Sequence, residues 1–205
     1  EWGSPCFVVP KKVAGEWRLV VDFRALNEVT LHDSYELPLI ADLLQKQAKK
    51  RMFTVLDMKK GYHQMPLDPQ SRPYTAMTSH VGLLQWRVMP MGAKNGNAAF
   101  QRMMEWVLKE FDFAFAFVDD VIISSEGEDE NELITTHTEH VEAVLRKFRE
   151  QGLVCDLSKA HLFEREVEFC GHVLGHGRRT PSMGKLRSLE KWPRPTTVTE
   201  LRAFL

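Results

Sequence analysis

Short apolar runs separated by polar segments dominate the first third of the chain. Residues 7–10 and 17–21 are two such runs on either side of a polar loop, a pattern that predicts a β-hairpin. A proline followed by apolar residues at helical spacing predicts a helix over residues 39–47. The compact apolar run 53–57 predicts a buried strand, and its last residue is an acid, Asp57.

The rest of the chain mixes two longer helical patterns with short apolar runs. Apolar residues at helical spacing predict helices over residues 97–110 and about 131–151, the second ended by Gly152. Short runs predict strands at residues 75–78, 84–88, 113–118, 121–123, 154–155, 167–170 and 172–174. Thr197 and Glu200 have the spacing of a capping box at a helix start. Because strands and helices are interspersed without regular alternation, the predicted fold class is α+β.

Two adjacent acids, Asp119 and Asp120, interrupt the apolar segment 113–123. The order of strand, two acids and strand places them at or beside the tip of a buried hairpin. Adjacent carboxylates repel each other, and a partly buried pair needs a positive charge nearby. A polar turn is the alternative, since Asp favours turns. The Gly or Asn usual in such a turn is absent, so we favour a metal site.

Asp57 is the acid most able to join this pair. If its strand neighbours the Asp119–Asp120 hairpin, Asp57 can meet Asp119; alone, it is more simply a strand-end cap. Hard oxygen ligands of this kind suit Mg²⁺, which keeps several waters and binds substrate phosphates. His137 and His140, and His172 and His176, also have spacings that metal ligands use, but without an evident third ligand we favour structural roles for both pairs.

Composition is that of an ordinary globular protein. The 205 residues are 43% apolar and 27% charged, which argues against disordered and collagen-like classes and predicts one domain, or one with a small satellite. The apolar runs are too short to span a membrane. Three widely spaced cysteines favour a reducing, intracellular compartment. The first residues lack the pattern of a signal peptide, and we expect the chain to be part of a longer one.

The formal net charge of −1 hides an uneven distribution. Residues 110–145 contain eleven acids and neither Lys nor Arg, so the remainder has 27 basic residues against 17 acidic ones. Nucleic-acid binding is therefore compatible with a net charge near zero. The acidic run 126–132 is most simply a solvated loop. The basic residues available to follow phosphates are Lys46, Lys49, Lys50, Arg51, Lys59 and Lys60.

An ordered set of motifs resembles the reverse transcriptases. Residues 17–27 (WRLVVDFRALN) resemble the fingers segment of that family, and residues 56–64 (LDMKKGYHQ) resemble its first catalytic motif. Residues 117–120 (FVDD) are similar to its Tyr-x-Asp-Asp box. Later palm motifs match at LSK (157–159) and FCGH (169–172), and PKK (10–12) and WP (192–193) complete the set. The combination, from about residue 4 to 205, looks most like gypsy-type long-terminal-repeat retrotransposons.

The resemblance implies a right-hand polymerase: a palm of antiparallel sheet backed by helices, a fingers subdomain and an essentially absent thumb. Fingers would be about residues 1–50 and 68–92, palm about 51–67 and 93–175, and 176–205 the start of a thumb. The implied activity is RNA-directed DNA polymerisation, in which dNTPs are added to a primer 3′-OH with two Mg²⁺ ions, or Mn²⁺ in their place.

Roles follow position by position from the same resemblance. Asp57, Asp119 and Asp120 would be the catalytic, metal-binding acids. The dNTP-binding residues would be Lys11, Lys12, Arg18, Tyr62, Met91 and Lys159. Among them Tyr62 would exclude a 2′-OH by bulk, and Lys159 would protonate the leaving pyrophosphate. The primer- and template-binding residues would be Gln101, Phe169, Cys170 and Gly171.

Departures from the family pattern cluster around the expected nucleotide pocket. Phe117 replaces the usual Tyr of the acidic box, Met91 replaces an aromatic residue or Gln, and Asn97 replaces a Pro. Every acid expected to hold metal is retained. Two functions are therefore open: a polymerase module, or a retrotransposon-derived domain that serves as a binding or structural subunit with weak or lost chemistry.

The expected partners are an RNA or DNA template with its primer, dNTPs, and either the remaining polyprotein domains, such as thumb and ribonuclease H, or a host assembly. The expected location is the cytoplasm or a retrotransposon particle.

Overall fold

The computed structural model describes residues 2–11, 15–184, 194, 196–198, 200 and 202. Four α-helices lie within them: α1 Arg24–Val29, α2 Ile40–Lys46, α3 Gly96–Leu108 and α4 Glu130–Glu150. The strands are β1 Ser4–Pro10, β2 Trp17–Val21, β3 Met52–Asp57, β4 Met77–Ser79, β5 Gly82–Leu84, β6 Ala114–Phe117, β7 Asp120–Ser125, β8 His161–Glu164, β9 Glu166–Phe169, β10 His172–Gly175 and β11 Arg178–Pro181. No helix of this described part is long and apolar enough to cross a membrane.

The central sheet has the strand order β6-β7-β3-β8, and all its pairs are antiparallel. The apolar runs predicted around residues 53–57 and 113–123 form its three adjacent strands β3, β6 and β7. Their side chains alternate between the two faces, as a sheet buried on both sides requires. This arrangement confirms that the Asp57 strand neighbours the Asp119–Asp120 hairpin.

Each face of the central sheet has its own apolar cluster. On one face, α3 and α4 contribute Phe100, Met104, Val144 and Phe148, which pack with Leu56, Val121 and Ile123 of the sheet. On the other, Leu43 and Leu44 of α2 pack with Phe53, Val55 and Ile122 of the sheet and with Val167, Phe169 and Leu174 of β9 and β10. The sheet is therefore packed on both faces, and this packing fixes the positions of its strand ends.

Two smaller sheets flank this core. One has the order β2-β1-β4-β5, with the predicted β1–β2 hairpin paired antiparallel and β1 parallel to β4. The other has the order β11-β10-β9. Mixed helices and antiparallel sheets confirm the predicted α+β, palm-like fold. Half of the predicted start of a thumb, residues 176–205, lies outside the described residues, and the described half includes β11.

Candidate active site

Three acids meet at one end of the central sheet because β3 ends where β7 begins. Asp57 and Asp120 are register partners across the β3–β7 pair. Just beyond them, the Met58 backbone N–H donates to the Asp119 carbonyl at 2.9 Å. The sequence led us to expect that Asp57 meets Asp119; in the register, Asp57 is paired with Asp120, and Asp119 occupies the adjoining turn.

The β6–β7 connection is a two-residue turn made of Val118 and Asp119, because Phe117 and Asp120 are the last paired residues. Val118 has a φ of +52°, in the left-handed region that β-branched residues avoid. Such a conformation costs roughly 1–3 kcal/mol and persists only where surrounding contacts impose it. The backbone of the turn that carries Asp119 is therefore strained, and contacts with another part of the chain must maintain its conformation.

Gln101 of α3 supplies that support. Its side chain is fully buried, its Oε1 accepts the Val118 N–H at 2.7 Å, and its Nε2 donates to the Ala116 carbonyl at 2.9 Å. The second Nε2 hydrogen is directed to Glu105 Oε1 at 2.8 Å. The family resemblance had implied that Gln101 faces the template, but the structure buries its side chain against the turn that carries Asp119, where burial prevents such a contact.

Gly61 lies against the Asp119 carboxylate. A Cβ at this position would collide with Asp119 Oδ1 and come within 2.9 Å of the Phe100 ring. Only glycine leaves room for the carboxylate to lie this close to the segment that follows β3. This close approach explains why a glycine occupies a buried position four residues after Asp57.

The three acids form an electrostatically unfavourable group. Burial, reinforced by the Asp57 charge, raises the pKa of both Asp119 and Asp120. Asp119 Oδ1 is buried without a hydrogen-bond partner. The nearby cation is Lys159, whose Nζ is 2.9 Å from Asp57 Oδ1 and whose pKa is raised by that hydrogen bond.

This donor set fits a divalent cation, since an unpartnered buried carboxylate oxygen and repelling carboxylates are both stabilised by one. Among the described residues, however, no group of three or more His, Cys, Asp and Glu side chains is gathered closely enough to hold a metal ion. The Lys159 ammonium binds Asp57 in this conformation. A metal would therefore compete with Lys159 for that carboxylate.

Comparison with known proteins identifies the family of this chain. The sequence profile described as "Reverse transcriptase (RNA-dependent DNA polymerase)" matches residues 9–174. The chain belongs to the reverse transcriptase family. It is similar to the retrovirus-related Pol polyproteins of the Drosophila melanogaster transposons 297 and opus, with 33% and 34% identity over 210 residues. All of the chain is covered, but only 19% and 20% of those polyproteins. The chain thus spans about a fifth of their length.

Viral relatives and solved structures agree with this assignment. The enzymatic polyprotein of figwort mosaic virus is 34% identical over 194 residues, which are 93% of this chain and 28% of that protein. The foamy viral protease–reverse transcriptase in complex with double-stranded DNA has a TM-score of 0.85 and 25% identity over 98% of this chain and 34% of its own. The same viral protein in complex with an RNA/DNA hybrid, 24% identical, shows the same fold, with a TM-score of 0.80, 98% of this chain covered and 26% of its own.

Two other residues expected at the nucleotide pocket lie in different surroundings: Tyr62 is partly buried, and Met91 is exposed. Tyr62 lies near the acids: its ring is tilted against Phe100 at 5.6 Å, and burial, with the Asp119 charge, raises its pKa. Its hydroxyl donates to Asn97 Oδ1 at 2.5 Å. Met91 is 46% exposed, which leaves it accessible to a ligand.

Lys11 and Arg18 lie on the surface of the β1–β2 hairpin. Lys11 Nζ is 2.8 Å from Glu16 Oε2, so the lysine is ion-paired within its own hairpin. Arg18 is an exposed residue of β2 opposite Val9. Lys12 lies outside the described residues.

The β9–β10 hairpin contains the residues predicted to grip a primer. Cys170 and Gly171 form its two-residue turn, both with positive φ, as a tight hairpin turn of this type requires. Phe169, by contrast, is only 2% exposed and packs in the cluster with Leu43. Cys170 and Gly171 remain candidates for contact with nucleic acid, whereas the Phe169 ring belongs to the core.

Several residues that shape the site carried no usable sequence signal. Gln64 bridges two segments: its Nε2 donates to the carbonyls of Lys59 and Val154, and its Oε1 accepts the Val154 N–H. Glu105 reads as an exposed helix residue, yet it contacts Gln101. Gly61 lies in the 56–64 motif, four residues after the end of β3, but the sequence did not show that it contacts Asp119.

His137 and His140 do not form a metal site in the described structure. Both Nδ1 atoms are 2.8 Å from Ser125 Oγ, and His137 Nε2 is 2.8 Å from Thr54 Oγ1. His140 also stacks on Phe113 at 3.6 Å. Hydroxyl partners and aromatic packing favour the structural role for this pair.

Proposed function

We propose that the chain is the fingers and palm of an RNA-directed DNA polymerase that adds dNTPs to a primer 3′-OH. The observation that carries the proposal is the group of three acids at one end of the central sheet, one with a buried oxygen that has no partner, in a chain of the reverse transcriptase family. On this proposal, residues 1–50 and 68–92 are fingers, and residues 51–67 and 93–175 are palm.

Asp57, Asp119 and Asp120 are the residues that would hold two Mg²⁺ ions, or Mn²⁺. When bound, such ions activate the attacking hydroxyl and stabilise the charge of the leaving group. The chain's own contribution is to fix the acids: β3 and β7 set Asp57 opposite Asp120, and the strained turn sets Asp119 beside Gly61.

Neighbouring side chains would bind the nucleotide. Arg18, with Lys11 or Lys12, would hold the triphosphate as cationic donors. Tyr62 would exclude a 2′-OH by the bulk of its ring, held by Asn97 and Phe100. Lys159, an ammonium already at Asp57, is the candidate proton donor to the leaving pyrophosphate. Met91 would line the base side of the pocket.

The partners on this proposal are a primer annealed to an RNA or DNA template and the other domains of a longer polyprotein. The foamy viral neighbours are complexes with double-stranded DNA and with an RNA/DNA hybrid, which supports a duplex as the ligand. In the transposon relatives, the segments that match this chain are parts of Pol polyproteins, which supports the proposal that this chain belongs to a longer polyprotein.

Single-nucleotide primer extension tests the proposal. We expect Mg²⁺-dependent addition by the wild type and a loss of more than about 100-fold in Asp119→Asn, since even outer partners of metal ligands contribute about 10–100-fold. Asp112→Asn, the same change at an exposed acid before β6, is the control and should leave the rate unchanged.

The contrary result is equally defined. A wild type that neither extends a primer nor binds dNTPs in a Mg²⁺-dependent manner would contradict the polymerase proposal. It would favour the second function considered from the sequence, a binding or structural subunit of a larger assembly.

A further inference from the structure

We infer that Glu105 and Tyr35 are positioning residues for the turn that carries Asp119, and that they act through the Gln101 amide. This inference rests on the proposed function, because it assigns the two residues a part in placing a metal-binding acid. We call Tyr35, Glu105 and Gln101 together the turn clamp.

The first step is the hydrogen-bond inventory of Gln101. A side-chain amide offers two donor hydrogens and one acceptor oxygen. Here the oxygen accepts from Val118, and the two hydrogens are given to the Ala116 carbonyl and to Glu105. Because the amide is fully buried, every one of these groups would be costly to leave unpaired.

The second step is that Glu105 reinforces the orientation of this amide, which the Val118 N–H and the Ala116 carbonyl also favour. A flipped amide would set its NH₂ against the Val118 N–H and its oxygen against the Glu105 carboxylate. The charged acceptor at Glu105 therefore strengthens the preference for the orientation in which Gln101 can hold Val118.

The third step is that Tyr35 fixes Glu105. The Tyr35 hydroxyl donates to Glu105 Oε2, the oxygen not used by Gln101, and this bond raises the pKa of Tyr35 to about 12. Arg102 lies over the Tyr35 ring, 4.7 Å from its centroid, and pairs with Asp33 at 2.6 Å. The segment between α1 and α2 is thereby tied to α3 and, through α3, to the catalytic turn.

The consequence concerns the strained turn itself. Val118 holds its left-handed conformation against a local preference for other conformations, so weaker support lets the turn relax. Asp119 shares the turn and has little free space beside Gly61 and Phe100. A relaxed Val118 would therefore shift the Asp119 carboxylate away from Asp57 and Asp120.

Two nearly isosteric variants test the clamp, each with a matched control. Glu105→Gln removes the charge but keeps the size, and Tyr35→Phe removes only the hydroxyl. Their controls are Glu142→Gln, at an exposed position of α4, and Tyr74→Phe, at a tyrosine that packs edge-on against Trp2. All four variants should unfold at urea concentrations close to that of the wild type.

The first readout is amide hydrogen exchange at Val118, measured by NMR without metal. We expect exchange about 10-fold faster in Glu105→Gln, as for the loss of about one net hydrogen bond, and a smaller increase in Tyr35→Phe. The double variant should exchange no faster than Glu105→Gln alone, because Tyr35 acts only through Glu105. Neither control should change.

The second readout is Mn²⁺ affinity, measured by electron paramagnetic resonance. Glu105→Gln should weaken it by about 10-fold or more, the range found for outer partners of metal ligands. Unchanged exchange at Val118 in both variants would overturn the inference, as would faster exchange with unchanged Mn²⁺ affinity. These outcomes are independent of primer extension: a wild type that neither adds a nucleotide nor binds dNTPs, while both readouts respond, would contradict the proposed function and leave the clamp established.

Discussion

At the residue scale, the space around Asp119 depends on the absence of one side chain. A Cβ at Gly61 would collide with Asp119 Oδ1 and would also come within 2.9 Å of the Phe100 ring. We expect Gly61→Ala to lower the free energy of unfolding by about 1–3 kcal/mol, the usual cost of overpacking. Displacement of Asp119 should slow single-nucleotide addition by up to about 100-fold.

Gly127→Ala is the matched control for Gly61→Ala. Its Cβ would meet Leu133 atoms at 3.4–3.7 Å, which is ordinary contact. Urea unfolding and primer extension of both variants check the prediction. Equal behaviour of the two would contradict the assigned role of Gly61.

His137 gives a second prediction at this scale. Burial, with a smaller effect of His140, lowers its pKa from 6.5 to about 4. Below pH 6.5 the unfolded chain therefore binds a proton that the folded chain refuses, so stability is complete above that pH and falls as the pH drops towards 4. The expected loss between pH 7 and pH 5 is about 2 kcal/mol from this residue.

Urea unfolding at pH 7 and pH 5 measures this loss. His137→Gln should be less stable at pH 7, because it disturbs the bonds to Thr54 and Ser125, but its stability should depend less on pH. Burial also lowers the pKa of His140, so His140 contributes to the pH dependence of stability that remains in His137→Gln. An equally steep pH dependence in His137→Gln would show that other groups cause it.

Individual site residues were predictable from the sequence only when their chemistry conflicted with their surroundings. Asp119 and Asp120 interrupt an apolar run, and Asp57 ends one, so the metal-binding role that we propose for them could be inferred from the sequence alone. As a residue type, glutamine could serve either a template contact or a buried hydrogen-bonding role, so the sequence could not decide between the two for Gln101. Its role depends on Val118 and Ala116, which only the folded chain brings to it.

At the element scale, the acidic run 126–132 takes part in hydrogen bonds and an ion pair at the start of helix α4. Asp129 caps α4 by accepting the Glu132 N–H at 2.9 Å. Arg51 donates to the carbonyls of Gly127 and Glu128, and Lys50 pairs with Glu126 at 3.5 Å. Lys50 and Arg51, expected from the sequence to follow phosphates, are engaged here instead.

We expect Asp129→Ala to lower the free energy of unfolding by about 1 kcal/mol, since it removes the cap of a 21-residue helix. Asp129→Asn keeps a capping oxygen and should cost only a few tenths of that, mainly through the helix dipole. Urea unfolding of both variants provides the check. Equal losses in the two would mean that charge, and not the hydrogen bond, stabilises the helix start.

Elements with strong periodicity were predicted closely, whereas several of the short ones were misplaced or missed. The 39–47, 97–110 and 131–151 helices correspond to α2, α3 and α4. The strand predicted at 84–88 is wrong in place, because β5 instead covers Gly82–Leu84, where it pairs with β4. The 154–155 strand reduces to one bridge between Met58 and Cys155.

Helix α1 and strands β8 and β11 were missed for the same reason. Each is only four to six residues long and has no buried residues. A segment this short and exposed does not show a regular spacing of apolar residues, so the sequence pattern cannot reveal it. These elements exist because of their neighbours, as β8 does beside β3. The capping box predicted at Thr197 and Glu200 is confirmed, since the Glu200 N–H donates to Thr197 Oγ1 at 3.2 Å.

At the scale of the whole molecule, long-range pairing places the acids together. Asp57 and Asp120 lie far apart in sequence, and their meeting depends on β3 pairing with β7 in one register. A shift of one residue would turn Phe53, Val55 and Ile122 to the wrong face, so the two apolar clusters fix the register and with it the site. The sequence indicated the fold class and both strands, but strand order and register arise only from this packing.

The central claim, that an RNA template directs dNTP addition at these acids, is tested most directly by the choice of nucleotide. A DNA primer is annealed to four RNA templates that differ only in the first unpaired base, and each dNTP is offered singly with Mg²⁺. We predict that each template selects its complementary dNTP and that Asp119→Asn adds none at a comparable rate. Addition that ignores the template base, or that survives Asp119→Asn, would contradict the account.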